Sequence, residues 1–151
     1  MNRRNFLSFA GSAVALSVIP MNLIAEDYRK SKPSVWTAHN IDDATKALYN
    51  IKDAIHSDEV QIEVPNINSS GGAVPVKFGT TLDAKTIALF QDANPESAVA
   101  VYEVNIYDVK QYEAKIKMAV SGTIMVLVEG TDGKIYMNKA KTEVAAGGCE
   151  G

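Results

Sequence analysis

Between Val60 and Val144 the apolar side chains fall mostly at every second position. That is the period of a β-strand with one buried and one wetted face. Val60, Ile62 and Val64 alternate with Glu59, Gln61 and Glu63, and Pro65-Asn66 stops the run. After the loop Asn68-Ser69-Ser70-Gly71-Gly72, Val74, Val76 and Phe78 alternate again, and Pro75 inside that run predicts an edge strand or a bulge. Further strands are expected over Thr86–Phe90, Ala98–Ile106, Tyr112–Val120 and Thr123–Glu129. Asp132-Gly133 marks a hairpin, with Lys134–Lys139 returning and Lys141–Val144 as a last strand. Thr123–Val128 is more apolar than a strand facing water on one side should be. It lies either in the centre of a sandwich or in a partner interface. Short strands at even spacing predict an all-β, immunoglobulin-like β-sandwich with Greek-key connections. A small closed barrel is the alternative.

One segment breaks this period. Ile41, Ala44, Leu48, Ile51 and Ile55 fall at steps of three and four, which predicts one amphipathic helix over about 41–55. Asn40 suits its N-cap, and Asp42 and Asp43 suit the positive end of its dipole. Residues 26–39 are polar and mixed, and read as a linker or early packing segment in which Trp36 is the anchor.

The first 25 residues follow different rules. Arg3-Arg4 is followed by Phe6 and Leu7, then by a small, apolar stretch up to Pro20. This reads as a twin-arginine export signal over 1–25, with cleavage near Ala25 and delivery to the periplasm. Gly11, Ser12, Ser17 and Pro20 interrupt the apolar run. It is also shorter than the ~20 residues a spanning helix needs, so no stable membrane anchor is expected. Removing 1–25 takes two of the fifteen basic residues and no acidic one, leaving a balance of about −5. A mildly acidic chain without Lys/Arg clusters argues against nucleic acid as a partner. The domain of 26–144 is of a size to fold but not to house a large pocket.

The chain holds one cysteine, Cys149, third from its end in Ala145-Ala146-Gly147-Gly148-Cys149-Glu150-Gly151. No intramolecular disulfide can form. Burial as a small hydrophobe fits poorly between glycines. A prenylation box needs three residues after the cysteine, and two follow. There remains an exposed thiol, which either crosslinks or carries a group. Gly147 and Gly148 offer slimness and freedom rather than packing. A five-residue tether of this kind reaches on the order of 12 Å. That suits residues 145–151 as an arm presenting a thiol to other proteins. It does not suit catalysis in place, which needs a preorganised shell of acids, bases or donors.

Other chemistry-bearing residues form no catalytic constellation. His39 and His56 flank the helical segment without metal-ligand spacing, and read as surface or cap residues. Gly71-Gly72 lacks the following helix and Lys-Ser/Thr of a phosphate loop. Tyr102, Tyr107, Tyr112 and Tyr136 read as sandwich core and interface. No resident cofactor or metal is expected.

The C-terminal Gly147-Gly148-Cys149 resembles the ending of the SoxY sulfur-carrier family, Gly-Gly-Cys-Gly-Gly. Gly72-Ala73-Val74-Pro75-Val76, Asn94-Pro95 with Val99 and Val101, Lys115-Ile116-Lys117-Met118-Ala119 and Asp132-Gly133-Lys134-Ile135-Tyr136 are similar to successive strands of that family. The resemblance implies an immunoglobulin-like carrier rather than an enzyme. It implies sulfur intermediates held on Cys149, with Gly147, Gly148 and Gly151 forming the flexible arm. The implied partners are a SoxZ-like subunit in a heterodimer, a c-type haem enzyme that conjugates thiosulfate, a hydrolase that releases sulfate, and a sulfane dehydrogenase. Glu150 departs from the pattern, since the family has glycine there. The alternative is an exported immunoglobulin-like interaction module whose cysteine forms an intermolecular disulfide.

Overall fold

The computed structural model describes residues 26–51 and 53–145. Residues 26–39, expected as a linker or early packing segment, form two short packed helical turns, α1 (Tyr28–Ser31) and α2 (Pro33–Trp36). Asp27 accepts from Arg29 N to start the first, and Pro33 occupies the first turn of the second, where its missing N–H costs no bond. Val35 is fully buried, while Trp36 ties the turns together, its indole N–H donating to Tyr28 O at 3.1 Å beneath the Arg29 guanidinium.

The amphipathic helix α3 runs Ile41–Tyr49 and not to Ile55. Its start is as expected: Asn40 Oδ1 accepts from Asp43 N at 2.8 Å. Its end is set by Asn50, which takes the left-handed conformation (φ 57°) and returns its N–H to Lys46 O. Such a residue closes a helix because the turn cannot continue through it. Ile55 therefore leaves the apolar stripe and enters the two-residue strand β1 (Ile55–His56).

Eight more strands follow: β2 (Val60–Glu63), β3 (Ile67–Asn68), β4 (Val74–Thr80), β5 (Ala84–Gln91), β6 (Ala98–Glu103), β7 (Gln111–Ile116), β8 (Gly122–Gly130) and β9 (Ile135–Val144). They build an immunoglobulin-like sandwich. One sheet has the order β1-β9-β8-β5-β6, with β3 also pairing β9; the other is β2-β4-β7. The last two expected strands are one, because β9 pairs with β8 without a break from Ile135 to Thr142. The hairpin before it turns at Gly133 (φ 80°), with Asp132 accepting from Lys134 N and Tyr136 Oη. Those two bonds, led by the backbone one, hold the Asp132 carboxyl below the usual carboxylate range.

Pro75 lies in the middle strand of the smaller sheet, not in an edge strand. The physical reason is local. β2 pairs with β4 only over Lys77–Thr80, so at Pro75 the strand is bonded to β7 alone. A residue without an N–H is tolerated where one side of the ladder is open.

The core has two compartments. Val60, Val74, Val76 and Phe78 from the smaller sheet meet Ile87, Leu89, Ile124, Val126 and Val128 from the larger. On the other face of the larger sheet, Ala88, Phe90 and Leu127 meet Val35, Ala44 and Leu48 from the helices. The fold is thus three layers: helices, larger sheet, smaller sheet. This explains the unbroken apolar run in β8, whose alternate residues serve opposite compartments. Tyr102 and Tyr112 stack at 4.8 Å and close the sandwich over Phe78, while Tyr107 stands in solvent.

Phe78→Ala is expected to cost about 3–5 kcal/mol in chemical denaturation, from lost burial and the cavity left behind. Val120→Ala, at a residue 59% exposed, is expected to change stability by less than about 0.5 kcal/mol.

Candidate functional site at the root of the C-terminal arm

Cys149, Gly147, Gly148, Gly151 and the departing Glu150 lie outside the described residues, as do Arg3, Arg4, Phe6 and Leu7. What the fold positions is the point from which residues 146–151 continue. That point is the end of β9, and its surroundings come from four separate segments.

β3 runs parallel to the end of β9, pairing Ile67 with Glu143 and Asn68 with Val144. Backbone bonds from Glu143 N to Asn66 O (2.8 Å) and from Ala145 N to Asn68 O (2.9 Å) carry the ladder to the last described residue. Side chains lock it. Asn68 Nδ2 donates to Thr142 Oγ1 at 2.7 Å, and Thr142 Oγ1 donates to Pro65 O at 2.6 Å. Asn68 and Thr142 are both buried, so these bonds work with little competition from water. On the other side, Val144 N donates to Ser121 Oγ at 2.9 Å, in the turn between β7 and β8.

A second ring of contacts holds those segments. Gly71 O accepts from Met118 N at 2.8 Å. A Cβ on Gly71 would stand 2.1 Å from Met118 O and 3.0 Å from Val144 Cγ1, so only glycine permits the approach. Asn94 then braces Met118 from beyond, donating to Lys117 O at 2.7 Å and accepting from Ala119 N at 3.0 Å. The segments around Gly72, Asn94 and Lys115–Ala119, distant in sequence, therefore meet at one pole of the sandwich.

Sequence reasoning takes Asn68-Ser69-Ser70 as part of a loop. It missed Asn68, Thr142 and Ser121 as the clamp on the arm's root. Thr142 did carry a signal, as a small polar residue at a core-facing step of the β9 alternation.

The chemical character of this pole is support rather than reaction. The groups with shifted proton affinity lie elsewhere. Tyr28 is pushed up to about 12 by burial, then by the carboxylates of Glu26, Glu103 and Glu129. Tyr49 is raised by burial, with its Oη 2.8 Å from Thr86 Oγ1 under the helices. His39 is exposed, with Nδ1 2.8 Å from Pro95 O, and His56 is exposed beside Asp58. Among the described residues no cluster of His, Cys, Asp or Glu is placed to hold a metal. Nor is any helix there long and apolar enough to cross a membrane. From Ala145 the backbone reaches Cys149 in four steps, at most about 14 Å.

The sequence matches the family model for the sulfur oxidation protein SoxY over residues 45–149. No curated protein matches it. Among solved structures, the sulfur carrier protein SoxY from Chlorobium limicola f thiosulfatophilum is similar, with a TM-score of 0.64 and 28% identity over 76% of this chain and 99% of that one. A superoxide reductase (neelaredoxin) from Ignicoccus hospitalis has a TM-score of 0.52 and 13% identity over 57% of this chain and 80% of its own. A putative superoxide reductase from Thermotoga maritima has a TM-score of 0.51 and 18% identity, over 63% and 89%. The last two likenesses are of fold alone.

Asn68→Ala is expected to cost about 1–3 kcal/mol, the range for losing buried hydrogen bonds, and to speed amide exchange at Ala145. Gly71→Ala should cost a similar amount, about 1–3 kcal/mol, because backbone must yield to the new methyl. Denaturant titration and hydrogen exchange check both.

Proposed function

The chain belongs to the SoxY family of sulfur oxidation proteins, and from that membership we propose that it is a carrier of sulfur intermediates, bound through the thiol of Cys149. The observation that supports this most is the pairing of a fixed root with a short tail. Ala145 is held by strand bonds, and the family match runs on to Cys149. A thiol at the tip of a slender arm of residues 145–151 can enter the active sites of other proteins while the sandwich stays outside. Gly147, Gly148 and Gly151 give the arm its freedom, since glycine has no Cβ to hinder rotation or entry.

In this role the protein is a covalent substrate, not an enzyme. A c-type haem enzyme joins thiosulfate to the Cys149 sulfur and takes up the two electrons released. A hydrolase adds water across the outer sulfur–sulfur bond and frees sulfate. A sulfane dehydrogenase takes six electrons from the sulfur that remains, which gains three oxygens from water, and a further hydrolysis releases it as sulfate and restores the thiol. A SoxZ-like subunit pairs with the domain of 26–144. Residues 1–25 form a twin-arginine signal read at Arg3, Arg4, Phe6 and Leu7, which sends the folded pair to the periplasm. Glu150 places a carboxylate beside the thiol, which disfavours the thiolate and repels anionic cargo.

Mass spectrometry of the C-terminal peptide from thiosulfate-grown cells is expected to find sulfur or sulfonate added to Cys149. Cys149→Ser should unfold at the same temperature and carry no adduct. A bare thiol throughout, with a reducible dimer on electrophoresis, would instead mark a crosslinking module. Replacing Arg3 and Arg4 by Lys is expected to leave uncleaved precursor in the cytoplasm, as read by fractionation and immunoblotting.

A further inference from the structure

The surfaces of the sandwich differ in what they offer a partner. The outer face of the larger sheet is covered by the helices. The outer face of the smaller sheet carries Gln61, Lys77, Glu113 and Lys115, all exposed and polar. Large exposed apolar side chains collect instead in the connection between β6 and β7, where Ile106 is 89% exposed, Tyr107 88% and Val109 78%.

This connection is built to hold its shape. Asn105 and Asp108 clasp each other twice, Asn105 N to Asp108 Oδ2 and Asn105 Nδ2 to Asp108 Oδ1, both at 2.8 Å. Asn105 Oδ1 accepts from Tyr107 N at 2.8 Å, and Asp108 N donates to Asn105 O at 3.1 Å. The clasp fixes a short tip with Ile106 and Tyr107 at its summit. A preformed apolar tip adds nothing to folding, since water covers it. It does lower the ordering cost of binding, and tyrosine is among the residues that most often dominate interfaces.

The charge beside the tip is one-sided. A groove of about 1150 Å³ runs along it, lined by Asp83, Glu103, Asp108 and Glu129 against Lys85 and Lys110. Both lysines are engaged, Lys85 with Glu129 at 3.6 Å and Lys110 with Asp83 at 3.7 Å. Glu103 and Asp108 are left as the excess. A second copy of this chain would bring the same negative rim against itself. An anionic bilayer would be repelled.

The tip is also far from the arm. Thr80 N donates to Lys110 O, whereas Gly71, just before β4, packs on Met118 and Val144. The two sites thus stand at opposite ends of β4, seven residues long and so about 20 Å.

We infer that the Asn105–Asp108 tip and its acidic groove are the docking element for a constant partner subunit, one that offers an apolar socket rimmed by lysine or arginine. Such a partner, seated at this pole, leaves the arm's pole open to successive enzymes. The assignment of this partner as the SoxZ-like subunit rests on the carrier role proposed above.

The test uses the purified full-length mature protein and the SoxZ-like subunit, by isothermal titration at low and high ionic strength. The double variant Ile106→Ala/Tyr107→Ala is expected to weaken Kd at least about tenfold. Glu103→Lys, on a separate side chain, is expected to weaken binding about threefold or more and to flatten its salt dependence. Ile67→Ala/Val120→Ala, at the arm's pole, should bind within about twofold of the parent, since neither residue lies near the tip. Unchanged melting temperatures certify each variant as folded. Parent-like binding by both the double variant and Glu103→Lys overturns the inference, as does loss of binding confined to Ile67→Ala/Val120→Ala. Tip-dependent self-association of the parent, or its tip-dependent binding to vesicles of anionic phospholipid, overturns it too. The carrier role fails separately, if the parent binds the subunit through the tip yet gains no sulfur on Cys149 in thiosulfate-grown cells.

Discussion

Two strands buried on both faces govern this structure. β5 and β8 lie side by side at the centre of the larger sheet, and neither face of either strand meets water along its middle. A sheet with both faces apolar must be covered twice. The smaller sheet covers one side and the helical segment from Tyr28 to Tyr49 covers the other. The helices are therefore a structural layer rather than a leader to the domain. With both broad faces of the central sheet taken up, what is left for recognition is the polar outer face of the smaller sheet and the ends of the sandwich.

The two ends are built differently. At one, a parallel β3–β9 pairing, a buried Asn68–Thr142 bond and the Ser121 hydroxyl fix the chain up to Ala145. Loss of conformational freedom there has been met during folding. In the proposed carrier role this matters because the origin of the arm is constant, so its reach is a property of the tail alone. At the other end, a clasped loop shows apolar side chains to solvent beside a groove with more carboxylates than lysines. One end ties down the last described strand, and the other holds a clasped apolar tip in solvent.

The likeness to superoxide reductases shows how little the sandwich dictates chemistry. Those proteins share the fold at 13% to 18% identity. Function resides in what is mounted on a fold, not in the fold itself. Here the family match extends through the C-terminal tail to Cys149, beyond the last strand.

The sandwich class, the capped start of α3 and the hairpin at Asp132-Gly133 were legible in residue order alone. Each rests on local chemistry: alternation, a side-chain cap, a left-handed glycine. Other features depended on what came to lie alongside. The stripe through Ile51 and Ile55 continued the helical period, yet Asn50 ended the helix and β9 claimed Ile55 as a partner. The apolar run in β8 had two meanings until the helices were seen to cover its second face. Pro75 was tolerable inside a sheet only because β2 stops short of it. The clamp on the arm joins Asn68, Gly71, Ser121 and Thr142 across as many as 74 residues, in bonds that no local pattern encodes. Sequence determines what each segment can do by itself. Tertiary structure decided which of those options survived, because burial and pairing are settled by neighbours the chain meets only after it folds.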